Sequence, residues 1–172
     1  MRVLPLLLAG LLASPVALAH DYHQGDLHID HPWSRPTPPG AGMGVGYLTI
    51  SNNGNADVTL VGAASPRAER VTIHETTEQG GMMRMQPIEG GLSIPAGAAV
   101  ELKPHSYHLM LEQLGQPLKE GESIPLTLDF EGAEDMTVEL KVESLDGGMV
   151  KGQKMEDHSG HGTGAHHSGM KH

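Results

Sequence analysis

The sequence predicts an all-β protein, an antiparallel sandwich or small barrel. Three observations carry that prediction. Short runs rich in β-branched and apolar residues recur along the middle of the chain, several alternating with period two. Glycine- and proline-bearing turns separate them. No stretch beyond the first nineteen residues keeps the 3.6-residue period of an amphipathic helix. Many short strands at such spacing close on themselves or pack as two sheets.

Residues 1–19 stand apart. Met1-Arg2 gives a basic start, Val3 to Val16 is mostly Leu, Ala and Val, and Ala17-Leu-Ala19 fits an A-x-A cleavage site. This reads as a secretory signal peptide, so a periplasmic location is expected. Residues 20–146 are expected to form one domain, a size that sustains a core without staples. It opens with a histidine-rich leader over 20–31. The strand signals then run in order: Gly46–Ser51, stopped by Asn52-Asn-Gly54; Val58–Val61; Arg70–Glu75; Val100–Lys103; His108–Glu112; Ile124–Phe130; and Met136–Val142. Trp33 and Tyr47 are expected in the core. Residues 147–172, dominated by Gly, His, Met, Lys and Ser, cannot bury enough apolar area to offset their ordering entropy. A disordered tail is expected there.

Composition narrows the function. The chain has no cysteine, so thiol redox chemistry, a cysteine nucleophile and a blue-copper thiolate centre are excluded, and no lipid anchor is expected. The formal net charge is −10, which disfavours nucleic acid and anionic membrane as partners. A monomer is expected, and nothing in the sequence points to catalysis.

The chemistry-bearing pattern is His74, then Met85, then His108-Leu-Met110. Alternate residues of a strand share a side, so His108 and Met110 can face one ion from a single strand. Met82, Met83 and Met85 follow the Gly80-Gly81 turn, and Met83 has the parity of Met85. His74, Met85, His108 and Met110 therefore make a candidate His2Met2 set, with Met83 as the substitute for Met85. Neutral imidazole and thioether are soft donors suited to Cu(I). Glu75 and Glu112 flank these strands as surface charges or as partners behind the ligands. His105 is expected exposed in a turn, and Met43, on a Gly-rich approach to a strand, is a further thioether near the set that is not counted among its ligands.

Trp33-Ser-Arg-Pro-Thr-Pro-Pro-Gly40, Gly46–Gly54, Ile73-His-Glu-Thr76, Met85-Gln-Pro-Ile-Glu89, Ile94-Pro-Ala-Gly97 and Tyr107-His-Leu-Met-Leu111 together resemble the periplasmic copper chaperone family PCu(A)C. The resemblance implies a cupredoxin-like Greek-key barrel. It also implies Cu(I) held by His74, Met85, His108 and Met110, and delivery of copper to the CuA centre of the cytochrome c oxidase copper subunit or to another periplasmic copper chaperone. The spacer Glu75–Arg84 has the family's ten residues, whereas Gln86–Tyr107, twenty-two residues, is one longer than the family spacing. The Gly90-Gly91 turn is expected to absorb the excess.

The ends carry further histidines. His158, His161, His166, His167 and His172, with Met170, make a tail whose composition fits Cu(II) binding. Cleavage after Ala19 would expose the amine and ring of His20, with His23 three residues on, as an additional Cu(II) ligand set. Two other functions fit part of this pattern: copper storage or resistance without a dedicated acceptor, and, more remotely, a histidine-brace copper monooxygenase.

Overall fold

The computed structural model describes residues 21–144. Within them eleven strands form and no helix. The strands are β1 (Asp21–Gln24), β2 (Leu27–Ser34), β3 (Met43–Asn52), β4 (Val58–Ala64), β5 (Ala68–Gln79), β6 (Met82–Pro87), β7 (Leu92–Ile94), β8 (Ala99–Leu102), β9 (Tyr107–Leu114), β10 (Ser123–Glu131) and β11 (Met136–Val142). Seven of them close into a barrel in the order β2-β11-β10-β4-β5-β9-β3, with β3 pairing back to β2. Closure removes the open edges that invite aggregation. The other strands are side branches: β1 on β2, β6 on β5, β7 on β4 and β8 on β3.

The expected antiparallel pairing holds at every seam but one. β11 meets β2 in parallel, through Lys141–Trp33 and Val142–Ser34. The described part of the histidine-rich leader is strand. β1 and β2 form a hairpin, and Leu27 and Ile29 enter the core.

Alternation sorts each wall into an inner and an outer face. Val71 and Ile73 of β5, Leu109 and Leu111 of β9, and Ile124, Leu126 and Leu128 of β10 fill an interior that is almost wholly aliphatic. Dense packing of such side chains is the main stabilising term. Inward-facing Gly44 and Gly46 stand opposite Leu111 and Leu109. A Cβ on Gly44 would come within 3.0 Å of Leu118 Cδ1, so glycine makes the room that neighbouring leucines occupy. Gly91, between β6 and β7, has φ +89° and would place a Cβ 2.6 Å from the Leu60 carbonyl oxygen. Only glycine satisfies both constraints.

Tyr47 is buried as expected, whereas Trp33 is only half-buried and corrects an expectation. The register of β2 shifts between Asp30 and Trp33, and His31 adopts a positive φ of 48° there. This irregularity turns Trp33 away from the inward set. Trp33 packs at a tilt of 38° against Tyr47, ring centroids 4.6 Å apart, and the Arg35 guanidinium lies over the Trp33 ring, 5.5 Å from its centroid. Trp33 stands outside the interior cluster.

Candidate metal centre

The site grows from the outer face of the wall formed by β6, β5, β9 and β3. Because Val71, Ile73, Leu109 and Leu111 point inward, their alternates Arg70, Thr72, His74, His108, Met110 and Glu112 must point outward. The β5–β9 register pairs His74 with His108, Thr72 with Met110 and Arg70 with Glu112. Residues directly opposite one another share a face. The two imidazoles meet with centroids 5.7 Å apart and planes at 47°.

Beyond the barrel, β5 continues and pairs with β6 on its other edge. There Pro87 faces His74, Met85 faces Thr76 and Met83 faces Glu78. Met85 is thus one diagonal step from His74, and Met83 is a further two residues along the hairpin. Diagonal neighbours remain within reach of long side chains. His74, Met85 and Met110 line one groove of about 460 Å³, together with Met43, Arg70, Thr72, Pro87 and Glu112. Met83 does not line it. His108, paired with His74 across the β5–β9 ladder, is not among the lining residues and is only 3 % exposed.

Protonation and hydrogen bonding leave the histidines able to donate lone pairs. The Ser106 carbonyl oxygen lies 3.0 Å from His108 Nδ1. A carbonyl only accepts, so the tautomer assigned from this contact has the proton on Nδ1 and a lone pair on Nε2. His108 Nε2 and His74 Nδ1 are both buried without a hydrogen-bond partner. An unsatisfied buried nitrogen ordinarily costs about 1–3 kcal/mol, and a metal ion would satisfy it. Desolvation, followed by the nearby His108, holds the His74 pKa below its ordinary value, which keeps the ring neutral and ready to ligate. No group of three or more His, Cys, Asp or Glu able to hold a metal exists among the described residues. The other donors lining the groove beside the histidines include the thioethers of Met43, Met85 and Met110.

The charged groups beside the cluster were missed as a unit by sequence reasoning. Arg70 pairs with Glu112 through an Nη2–Oε2 hydrogen bond, and Thr72 Oγ1 donates to Glu112 Oε1 at 2.7 Å. The Arg70 hydrogen bond, followed by that of Thr72, holds the Glu112 carboxyl below its ordinary range. Met43, named from the sequence only as a nearby thioether, stands on the same face because β3 pairs Met43 with Glu112 and Val45 with Met110. Strand parity alone could have found the face, but the β3–β9 pairing is long-range. Glu75 is on the opposite side of β5 from His74, and His105 is exposed in its turn.

Among the other candidate ligands, His23 is on β1, opposite His28 and stacked on it with centroids 4.1 Å apart. His20, His158, His161, His166, His167, Met170 and His172 lie outside the described residues.

The closed all-β barrel has the cupredoxin-like fold of a PCuAC domain. The chain belongs to the LpqE-like family, described as “Putative lipoprotein LpqE-like”, whose model matches residues 27–142. Its relatives include “Putative lipoprotein Lxx21020” of Leifsonia xyli subsp. xyli, 34 % identical over 63 % of this chain and 65 % of that protein. An uncharacterized protein of Rickettsia prowazekii, RP573, is 29 % identical over 67 % of this chain and 66 % of its own length. The matches thus span about two thirds of these relatives.

Two solved structures sharpen the fold. The solution structure of CuI-DR1885 from Deinococcus radiodurans is 32 % identical, with a TM-score of 0.54 over 65 % of this chain and 74 % of that one. The copper-bound PCuAC domain from PmoF2 superposes with a TM-score of 0.63 over 73 % of this chain and 98 % of that one. At 24 % identity its likeness is one of fold.

Proposed function

We propose that this protein is a periplasmic copper chaperone that holds one Cu(I) between His74, Met85, His108 and Met110 and delivers it to an acceptor. The observation that carries the reading is the pair of buried, unpartnered imidazole nitrogens on His74 and His108, flanked diagonally by two methionines on one outer face. Neutral nitrogen and thioether donors favour Cu(I) over harder cations. The copper-bound state of the solved PCuAC domain and of DR1885 supports copper as the cargo. The lipoprotein names of the family and of one relative support a cell-envelope location.

The proposed ligand set suits transfer better than storage. It lacks thiolate, so the grip on Cu(I) is moderate. Met85 is 54 % exposed, which lets an incoming donor displace it before the histidines let go. The His and Met donors leave copper as neutral groups with no change in oxidation state, and any thiol of the acceptor gives up its proton as it takes the metal. The acceptor proposed is the CuA centre of cytochrome c oxidase. The histidine-rich residues 158–172 are proposed to collect Cu(II).

The test is to mix Cu(I)-loaded full-length protein with excess soluble CuA domain under anaerobic conditions and to separate the two. Copper recovered with the acceptor is the expected result. Copper retained by this protein, with an acceptor shown to take Cu(I) from a small chelator, would overturn delivery in favour of storage.

A further inference from the structure

Met43 is the one exposed methionine of the described residues on this face that the proposed ligand set leaves unused on the barrel itself. Its side chain is 60 % exposed and contributes nothing to the interior cluster. Its position is nonetheless tightly fixed. The Leu114 N–H donates to the Gly42 carbonyl at 3.0 Å, and Gly44 is held inward beneath Leu118. The residue between them must therefore point outward. There it lines the groove with His74, Met85 and Met110. It also lines an adjoining depression with Arg35, Pro36, Val45 and, again, Met110. Met110 is thus the wall common to both hollows, and Met43 borders both.

Building on the Cu(I) reading above, we infer that Met43 is a fifth, transient thioether ligand through which Cu(I) enters and leaves the site. The step is a ligand exchange. A bond from copper to the Met43 sulfur forms as one bond to the resting set breaks. Both donors are neutral, so charge and oxidation state are unchanged. Thioether is the fitting chemistry for such a hand-over, being soft, polarizable and flexible. It also carries no proton that must leave before the metal binds. A ligand on β3 opens a route away from the β5–β6 hairpin, so copper can move without unpairing β6.

The experiment measures anaerobic Cu(I) removal by excess bathocuproine disulfonate, with stopped-flow absorbance, from full-length wild type, Met43→Leu and Met82→Leu. Met82 is 61 % exposed on the other side of β6 and serves as the control. Equilibrium affinity and thermal midpoint are measured on the same samples. The expected result is one Cu(I) bound by all three, with removal from Met43→Leu slowed roughly tenfold, the low end for loss of a metal-supporting partner. Its affinity should move by much less. Equal rates for Met43→Leu and wild type would overturn the inference, as would equal slowing in Met82→Leu. If wild type itself binds no Cu(I), the chaperone reading fails first and this one falls with it.

Discussion

The two halves of the candidate site are built to different standards. His74, His108 and Met110 stand on β5 and β9 where both strands are part of the closed barrel, and their neighbours in sequence are the buried Ile73, Leu109 and Leu111. Met85 stands on β6, which pairs with β5 alone and is exposed along its whole length. One half is preorganised by the core and the other hangs from a single ladder of hydrogen bonds. Local stability follows packing density, so the barrel half should hold its geometry while the hairpin half yields. A carrier needs both properties in one site.

The largest effect should come from the core behind the barrel half. Leu109→Ala empties interior volume and is expected to cost about 2–5 kcal/mol in urea unfolding, while the folded fraction still binds one Cu(I). Next, His108→Ala removes a buried donor, and Cu(I) affinity by chelator competition is expected to fall by at least about a hundredfold. Met85→Leu is nearly isosteric, so the thermal midpoint should hold. Affinity should fall by only about tenfold, mostly through faster release. A Met85 effect as large as that of His108 would erase the difference between the halves.

A smaller effect separates the halves by pH. The His74 pKa is held below its ordinary 6.5 by desolvation first and by His108 second. The unfolded chain then binds more protons than the folded one as pH falls below 6.5, so stability falls in that window and is regained as pH rises through it. Unfolding midpoints of wild type and His74→Gln between pH 7 and 5 should diverge accordingly. The smallest expected change is in Thr72→Val, which removes a hydrogen bond from Glu112. The Glu112 carboxyl should titrate higher in this variant by NMR, because the lost Thr72 hydrogen bond favours the charged carboxylate, while the larger Arg70 contribution remains.

Much of the fold was legible because alternation in Ile124–Phe130 and Met136–Val142 is a local signal. The same holds for the glycines at 80–81 that turn β5 into β6. The seam between β11 and β2 was not legible. It joins distant segments in parallel, and the bulge at His31 reverses the parity that would have placed Trp33 inside. At the site, His108-x-Met110 was readable from strand period alone. Spacing could not separate Met85 from Met83, because they share parity. The register with Thr76 and Glu78 puts only Met85 beside His74. Met43, Arg70 and Glu112 come together through the pairing of β9 with β3 and β5, which no local pattern encodes.

The most direct test is X-ray absorption at the copper edge on full-length protein loaded with one equivalent of Cu(I). The account predicts nitrogen and sulfur neighbours in equal number, with sulfur reduced by half in Met85→Leu and nitrogen unchanged. A shell of nitrogen and oxygen alone, or a sulfur signal untouched by Met85→Leu, would contradict it.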